Sequence, residues 1–396
     1  MALTGIVGEV AFAIIGAGPA GVAAAEHYRA ARGSGRVLLI GEELERPYAR
    51  PPLSKGRLRG ELSRNAIDLH PEAWYAERQI DRLYARVTSL EHDHLRFGPT
   101  TLRFDQCLIA TGAEAATLAV PGGAHGAILR LRRDSDCDRI RAIPEGETIA
   151  IVGSGFIGCE VAASLAMTGR RVTLATEEPL PQARRLGNDV AKRIAAWLEE
   201  LDVTLHLASR VERISDGRVL RLASGEEISA SRIIVGAGTV PRSELAQRVG
   251  MTLKDGRIPC DSRMRTLSSN LLAAGDVARA AHAIAGRSLA VEHWGDAISM
   301  GEVAGRTAAG ALVRWKSVPG FWSTIGEHTI KHAAWGDGWD ACHFVARAGA
   351  SFSAWYGREG RLVGILTHER DDHYDRGREL IAARASFQTA VADAHG

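Results

Sequence analysis

The sequence lacks closely spaced cysteines. Its five cysteines all lie more than 20 residues apart, at Cys107, Cys137, Cys159, Cys260 and Cys342. No CxxC or similar spacing is present, so the sequence does not predict a redox-active dithiol or a zinc site. Isolated, reduced thiols are typical of cytoplasmic proteins, and we predict that location.

The sequence also lacks an excess of charge and any long apolar run. The 396 residues carry a formal net charge of +2, which gives no indication of nucleic-acid binding. No apolar run reaches the roughly 18 residues of a membrane span, and the N-terminus does not resemble a signal peptide. We therefore expect neither membrane association nor nucleic-acid binding. The length is too great for one compact core and predicts two or three domains.

Glycine, by contrast, is abundant, with 43 residues, and it marks the first functional motif. Val10–Ile15 is short, apolar and β-branched, which predicts a buried parallel strand. An Ala-rich helix over Val22–Ala31 and a second strand over Arg36–Ile40 are predicted next, followed by an acid, Glu42 or Glu43. The turn between the first strand and the helix reads Gly16-Ala17-Gly18-Pro19-Ala20-Gly21.

The same order of elements recurs later in the chain. A strand over Thr148–Val152, a helix over Cys159–Thr168 and a strand over Arg171–Ala175 are predicted. Thr176 stands at the end of that strand, with Glu177 one residue later. The turn reads Gly153-Ser154-Gly155-Phe156-Ile157-Gly158.

Each copy has the context of a dinucleotide-binding motif, a strand that leads through GxGxxG into a helix, with an acid some 20 residues on. The first glycine permits the tight turn, the second lets a pyrophosphate approach, and the third allows close packing. The helix N-terminus offers N–H groups to phosphates. Glu177 favours NADH by repelling a 2′-phosphate. Arg184 and Arg185 lie too far along the chain to predict NADPH. The choice between NADH and NADPH stays open.

Further predicted strands end in small residues, where open α/β sheets bind cofactors. These ends are Ala110-Thr111-Gly112, Gly236-Ala237-Gly238 and Ala274-Gly275-Asp276. Antiparallel strands over Ser351–Tyr356 and Leu362–Leu366 and a helix over Asp375–Ala385 predict a C-terminal α+β domain. The predicted fold is α/β, with two Rossmann-like domains and this third one. We expect residues 1–113 and 240–320 to bind FAD, 114–239 to bind NAD(P)H, and 321–396 to form the C-terminal domain.

One segment carries a family resemblance. The segment Glu45-Arg46-Pro47-Tyr48-Ala49-Arg50-Pro51-Pro52-Leu53-Ser54-Lys55 resembles the RPPLSK segment of NADH-dependent ferredoxin reductases, the flavoproteins of Rieske dioxygenase and cytochrome P450 electron chains. These belong to the FAD-dependent pyridine nucleotide-disulfide oxidoreductase superfamily. Supporting similarities are Ala110-Thr111-Gly112, Phe156-Ile157-Gly158-Cys159-Glu160, Ala274-Gly275-Asp276 and Glu292-His293-Trp294.

The resemblance implies roles for the residues at these positions. Lys55, paired with Glu160, would lie near the reactive nitrogen of the flavin and act as the catalytic pair, since positive charge stabilises a reduced, anionic flavin. Asp276 would bind the ribityl chain, and Trp294 and Trp322 would lie against the flavin. The remaining expected cofactor contacts are Gly16, Ala17, Gly18, Gly21, Glu42, Arg50, Val87, Ala110, Thr111, Gly112, Arg130, Gly153, Gly155, Gly158, Glu177, Gly238, Gly275, Glu292 and His293.

Two departures from the superfamily pattern bear on function. No cysteine precedes Cys107, so the thiol that disulfide- or peroxide-reducing relatives carry in the flavin domain is missing. The C-terminal domain begins Phe321-Trp322-Ser323-Thr324 where ferredoxin reductases commonly have Phe-Trp-Ser-Asp. Five of the eight tryptophans lie between residues 315 and 355. This Trp- and His-rich region predicts core or interface packing and no metal site.

We therefore expect an enzyme that moves hydride from NADH to FAD. Single electrons would then pass to a [2Fe–2S] ferredoxin or Rieske-type partner. One alternative is a redox-controlled interaction protein that resembles apoptosis-inducing factor. Another is a flavin reductase that acts directly on a quinone or oxygen. The chain is expected to be a monomer or a homodimer.

Overall fold

The chain folds into two compact units in a computed structural model that describes residues 8–251 and 255–394. The first unit comprises the described residues of Met1–Ala49, Asp68–Glu114 and Val240–Gly320. The second comprises those of Arg50–Ile67, Ala115–Thr239 and Phe321–Gly396. The segment Arg50–Ile67, which the sequence places in the FAD-binding domain, thus groups with the second unit. The C-terminal region groups there as well, so the three-domain division remains a prediction.

The described residues form strands throughout both units. In chain order they are β1 Glu9–Ile15, β2 Val37–Gly41, β3 Ile80–Tyr84, β4 Ser89–Leu90, β5 His94–Phe97, β6 Thr100–Ile109, β7 Ala113–Ala115, β8 Thr148–Val152, β9 Arg171–Ala175, β10 Thr204–His206, β11 Val211–Ser215, β12 Val219–Leu222, β13 Glu227–Ser229, β14 Arg232–Val235, β15 Thr239–Pro241, β16 Ile258–Cys260, β17 Leu271–Ala273, β18 Ala278–Ala281, β19 Ser288–Leu289, β20 Gly320–Ile325, β21 His328–Ala334, β22 Ala341–Ala346, β23 Phe352–Arg358 and β24 Arg361–His368.

Helices connect many of these strands. They are α1 Pro19–Ala30, α2 Gly56–Arg59, α3 Glu72–Glu77, α4 Asp134–Arg141, α5 Phe156–Ala166, α6 Ala183–Leu186, α7 Asn188–Glu199, α8 Glu244–Arg248, α9 Trp294–Ala308, α10 Asp371–Ala382 and α11 Phe387–Asp393. Short 3₁₀ turns lie at Pro51–Ser54, Asn65–Ile67 and Ala348–Ala350. Within residues 8–251 and 255–394, no helix is both long and apolar enough to cross a membrane.

The main sheet of the first unit has the order β3-β2-β1-β6-β5-β4, and β17 also pairs with β6. The strands β1, β2, β3, β6 and β17 are parallel, whereas β4 and β5 add an antiparallel hairpin beside β6. A smaller sheet, β16-β18-β19, belongs to the same unit. Because the parallel strands share one direction, their carboxyl ends lie along one edge, which is where such sheets bind ligands.

The second unit contains a parallel sheet of order β10-β9-β8-β14. Its β8 and β9 match the predicted strands Thr148–Val152 and Arg171–Ala175. The antiparallel sheet β11-β12-β13 contributes to the same apolar core, in which Ile214, Leu220 and Ile233 are almost fully buried. The fold is thus the predicted α/β class, and each glycine motif follows a strand of a parallel sheet.

The C-terminal part of the second unit is an antiparallel sheet, β20-β21-β24-β23-β22. Trp355 and Tyr356 of β23 are buried. The predicted helix over Asp375–Ala385 begins four residues earlier, at Asp371. Sequence periodicity missed this first turn because it is polar, but Asp371 and Asp372 suit a helix N-terminus, where the backbone dipole favours negative charge.

Candidate active site

The carboxyl ends of the first unit's parallel strands lie side by side. Ile15 of β1 is in register with Ile40 of β2 and with Ile109 of β6, and β17 continues the row beside β6. The residues that directly follow these strands therefore line one edge of the sheet: Gly16, Glu42, Ala110 and Ala274. The structure thus brings together the predicted contact residues of the Gly16 turn, Glu42, the Ala110–Gly112 loop and the Gly275–Asp276 loop.

The Gly16 turn has the shape that a pyrophosphate requires. Gly16 has φ = 116°, and a Cβ there would lie 2.1 Å from the Ala110 carbonyl oxygen. A Cβ on Gly21 would lie 1.9 Å from the Gly16 carbonyl oxygen, whereas one on Gly18 would meet no atom within 4 Å. Gly18 is the N-cap of α1, and no side chain of the described residues caps that helix start. The turn therefore leaves the helix N-terminus open to a phosphate group.

The second glycine turn repeats this geometry. Gly153 has φ = 103°, and its added Cβ would lie 2.6 Å from the Gly236 carbonyl oxygen. A Cβ on Gly158 would lie 2.0 Å from the Gly153 carbonyl oxygen, but one on Gly155 would have no neighbour closer than 3.8 Å. Gly155 is the N-cap of α5, again without a side-chain cap from the described part of the chain. Both turns fit a dinucleotide pyrophosphate.

The two candidate acids of the first unit have different partners. Both carboxylate oxygens of Glu42 accept hydrogen bonds from the Arg242 guanidinium, at 2.5 and 2.8 Å. Glu43 instead accepts a hydrogen bond from the Tyr48 hydroxyl. These contacts hold the two acidic side chains in fixed but separate positions at the end of β2.

The corresponding acid of the second unit is much more exposed. Thr176 is buried and its hydroxyl bonds to Ser154 at 2.8 Å, so it shapes the loop. The Glu177 side chain is 59% exposed and lies 3.7 Å from Arg184, which is 68% exposed. The loop after β9 folds back and brings the Arg184 side chain to Glu177, although the two residues are seven positions apart in the sequence. Sequence separation alone therefore did not predict that Arg184 lies beside this acid.

Lys55 and Glu160, which the sequence predicts to pair, form a buried ion pair. Lys55 Nζ lies 2.6 Å from Glu160 Oε2, with the two side chains only 15% and 3% exposed. Lys55 follows the 3₁₀ turn Pro51–Ser54, and Glu160 lies in the second turn of α5. Both residues belong to the second unit, so their contact is a feature of that unit alone.

The Glu160 carboxylate receives four hydrogen-bond donors. Lys55 Nζ and Ser54 Oγ donate to Oε2 at 2.6 and 2.5 Å. Ser323 Oγ and the Thr324 amide donate to Oε1 at 2.7 and 3.3 Å. A buried carboxylate needs such partners to offset its desolvation. Glu160 therefore ties three stretches of the second unit together and holds the Lys55 ammonium in place.

A second buried ion pair fixes the segment that carries Lys55. The Arg57 guanidinium lies 3.0 Å from Asp134 and 2.7 Å from Asp138, and Arg57 is almost fully buried. Since Asp134 and Asp138 belong to α4, this contact attaches the Lys55 segment to that helix of the second unit.

The other predicted site residues of the first unit lie near strand or helix ends. Asp276 follows β17 by three residues and is half-buried. Trp294 is the first residue of α9, and its neighbour His293 contacts Asp296 at 3.1 Å. Glu292 pairs with Arg257 at the surface, and Val87 is buried.

Three further predicted residues lie in the second unit. Arg50 donates to the Arg132 carbonyl oxygen at 2.6 Å, and Arg130 donates to Thr117 at 2.8 Å. Gly238 is exposed just before β15. Trp322 is 45% exposed on β20 while the adjacent Ser323 is fully buried, so the indole faces outward.

Raised pKa values make the cysteines poor nucleophiles near neutral pH. Burial raises the pKa of Cys107, Cys159 and Cys260 far above the ordinary value, and it raises the pKa of Cys137 to about 12. Cys342 is exposed, but partial burial of its thiol raises its pKa to about 11. In the part of the chain that the structure describes, no group of His, Cys, Asp or Glu is arranged to hold a metal ion.

Sequence reasoning missed Arg242, Ser323 and Thr324 as parts of the site. Arg242 meets Glu42 across 200 residues of chain, and Ser323 meets Glu160 across 163. Neither contact has a local sequence signal. The only pointer was indirect: Arg242 follows the Gly236–Gly238 loop, and Ser323 lies in the segment Phe321–Thr324 that departs from the superfamily pattern.

Comparison with known proteins settles the family. The family model described as pyridine nucleotide-disulphide oxidoreductase matches residues 10–301. The chain belongs to this family. It is accordingly an oxidoreductase, and ferredoxin reductases of the family use FAD and NADH, two dinucleotides that fit the two glycine turns.

Several relatives resemble the chain over nearly its whole length. Rhodocoxin reductase of Rhodococcus erythropolis is 30% identical, over 93% of this chain and 88% of that protein. The ferredoxin reductase component of chlorobenzene dioxygenase from Cupriavidus sp. is 32% identical, over 96% and 94%. The covalent putidaredoxin reductase–putidaredoxin complex gives a TM-score of 0.90 at 25% identity, over 98% and 99%.

Proposed function

We propose that the chain is an NADH-dependent reductase that passes electrons through FAD to an iron–sulfur protein of the ferredoxin or Rieske type. The observation that carries this proposal is the buried Lys55–Glu160 pair. Lys55 lies in the part of the proposed FAD domain in which disulfide- or peroxide-reducing relatives carry a thiol. The five cysteines are unpaired and none lies near Lys55 in the sequence, so the proposed electron route does not pass through a protein disulfide.

The two glycine turns divide the cofactors. In the first unit, the Gly16 turn, Glu42, the Ala110–Gly112 loop and Asp276 are proposed to hold FAD. In the second, the Gly153 turn and Glu177 are proposed to take NADH. We retain residues 1–113 with 240–320, 114–239 and 321–396 as the proposed FAD, NADH and C-terminal domains. Isolated, unpaired cysteines agree with a cytoplasmic location, which is likewise proposed.

The chain's own residues prepare the hydride transfer. FAD, when bound, accepts two electrons together and releases them singly. Lys55 supplies a positive charge whose position is fixed before reaction, because Glu160 holds it at 2.6 Å. Ser54 and Ser323 in turn fix Glu160. A preorganised charge of this kind stabilises developing negative charge without reorganisation at the moment of transfer.

The acceptor class is supported by the relatives. Two of them carry names of reductases for small electron carriers, and a structural relative was solved joined to its partner putidaredoxin. In this chain, the exposed Trp322 on β20 is a candidate contact for such a partner. Docking of this kind is transient and steered by charge, so it should weaken as salt increases.

Anaerobic mixing experiments test the proposal. The purified flavoprotein is mixed with NADH, and flavin absorbance is followed; ferredoxin, rubredoxin and a quinone are then supplied in parallel, with cytochrome c as the final reporter. We expect rapid loss of oxidised-flavin absorbance, and cytochrome c reduction that requires an iron–sulfur or rubredoxin carrier. Flavin that stays oxidised would refute the proposal, and turnover with the quinone alone would favour a flavin reductase instead.

A further inference from the structure

Arg242 occupies a fixed place at the end of β6, although it comes from a different part of the chain. Its backbone amide donates to the Gly112 carbonyl oxygen at 2.9 Å. The Thr111 hydroxyl donates to the Arg242 carbonyl oxygen at 2.6 Å. Thr111 and Gly112 follow β6, so both backbone polar groups of Arg242 are anchored at the carboxyl end of that strand.

The side chain of Arg242 reaches the end of another strand. Its Nη1 and Nη2 donate to the two oxygens of Glu42 at 2.5 and 2.8 Å, and Glu42 directly follows β2. In the sheet, β1 lies between β2 and β6. The arginine therefore extends past the end of β1, where the Gly16 turn begins. Glu114 provides a second, weaker acidic neighbour, 3.8 Å from Arg242 Nε.

This contact is more ordered than an ordinary surface ion pair. The Arg242 and Glu42 side chains are 25% and 20% exposed, and the two parallel N–H···O bonds fix the plane of the carboxylate. The hydrogen bond that Arg242 donates to Glu42 raises the pKa of Arg242 above its usual value, so the arginine stays charged. A glutamate on a loop would otherwise lose considerable rotamer freedom when it binds a ligand.

A carboxylate that pairs with an arginine can still accept other hydrogen bonds. An ionised carboxylate has about four lone-pair sites, whereas a bidentate guanidinium needs only one on each oxygen. Such a carboxylate suits two neighbouring hydroxyl donors, as on a ribose. A carboxylate that is already oriented binds such donors without a further ordering cost.

We propose that Arg242 is a positioning residue that orients Glu42 toward the adenosine ribose hydroxyls of FAD. The proposal rests on the proposed assignment of FAD to the Gly16 turn. It gives Arg242 a role in cofactor retention and specificity, whereas direct contact of Arg242 with the cofactor phosphates is the competing explanation.

The experiment uses the holoprotein and measures FAD release, which raises flavin fluorescence. FAD is displaced by ADP or by 2′,3′-dideoxy-ADP, which lacks both ribose hydroxyls, from the wild type and from Arg242→Met. Arg36→Met is the matched control, because Arg36 pairs with Asp81 at the opposite end of β2. Should Arg242→Met not fold, Arg242→Lys retains the charge but loses the bidentate contact.

We expect Arg242→Met to weaken FAD binding about tenfold, the scale set by ordering one flexible side chain. The preference for ADP over the dideoxy competitor should shrink toward one in this variant and stay at the wild-type value in Arg36→Met. In a Glu42→Gln background, Arg242→Met should add little. Two results would overturn the proposal. One is a preference for ADP over the dideoxy competitor that is the same in Arg242→Met as in the wild type. The other is a loss of FAD affinity on Arg242→Met that is as large in the Glu42→Gln background as in the wild type. None of these readouts uses NADH, so failure of the electron-transfer proposal would be seen separately.

Discussion

The two glycine turns have nearly the same backbone geometry, but the acids beside them are held differently. Glu42 in the first unit is mostly buried and receives two hydrogen bonds from Arg242. Glu177 in the second unit is exposed and lies 3.7 Å from an equally exposed Arg184. The first acid is fixed before any ligand binds, whereas the second is free to adjust.

This difference fits two ligands with different lifetimes on the protein. A cofactor that stays bound through many turnovers gains from a preorganised site, since each ordering cost is removed from its binding free energy. A substrate that must leave after each turnover gains less, and exposed ion pairs contribute only about 0–1 kcal/mol. The comparison therefore predicts a tightly held FAD and an exchangeable NADH.

The largest effect is expected from Lys55–Glu160, which is more buried than either Glu42–Arg242 or Glu177–Arg184. Lys55→Ala removes the positive charge beside Glu160 and should slow flavin reduction by NADH on the order of 100-fold, with FAD retained. Stopped-flow absorbance measures the rate. Lys331→Ala, which breaks the exposed Lys331–Asp371 pair of the same unit, is the control and should leave the rate unchanged. A rate of flavin reduction in Lys55→Ala equal to that of the wild type would contradict a catalytic role for Lys55.

Truncating the two acids tests the comparison itself. Glu42→Ala should weaken FAD binding by on the order of tenfold or more, since it removes charge-assisted hydrogen bonds and leaves Arg242 without its bidentate partner. Glu177→Ala should raise the KM for NADH only about two- to fivefold. Fluorescence of released FAD and steady-state kinetics supply the two values. Equal losses in both variants would show that burial of the acid does not matter.

Much of the fold was predictable from the sequence, but the pairing of side chains was not. The strands Thr148–Val152 and Arg171–Ala175 have the predicted bounds because apolar β-branched runs end at glycine or a polar residue. The RPPLSK segment pointed to Lys55 through family resemblance. Arg242–Glu42 and Ser323–Glu160 depend on tertiary contacts between distant segments, and no local pattern encodes them.

The cysteines allow a second comparison between buried and exposed positions. Alkylation of the native protein near neutral pH should modify Cys342 alone, and slowly, because its pKa of about 11 leaves little thiolate. Mass spectrometry after timed quenching gives the sites and rates. Cys342→Ser should abolish native labelling. Rapid labelling of Cys159 would contradict its burial in α5.

The smallest effect concerns acid stability. Burial lowers the pKa of His328, which stacks on Trp197, and of His373, below the ordinary 6.5. Below about pH 6.5 these two histidines therefore bind more protons in the unfolded chain than in the folded one, so they should make the free energy of unfolding fall as pH decreases. Denaturant titrations between pH 7 and about 5 measure this slope.

Two variants should change that slope in opposite directions. His328→Phe keeps a ring on Trp197 but cannot be protonated, so the acid-induced loss should become shallower. His94 of the first unit has a pKa raised by its hydrogen bond to Asp93, which stabilises the fold at low pH. His94→Gln should therefore make the loss steeper. Identical slopes in both variants would contradict these assignments.

Retention and reduction of the flavin in one sample test the central claim directly. The holoprotein, desalted and free of oxygen, is titrated with NADH while flavin absorbance is recorded, and the filtrate is then assayed for nucleotides. We predict one FAD retained per chain, full reduction by about one equivalent of NADH, and NAD⁺ recovered in the filtrate. Flavin lost on desalting, or oxidised-flavin absorbance that NADH leaves unchanged, would contradict the assignment of a resident and an exchangeable dinucleotide to the two turns.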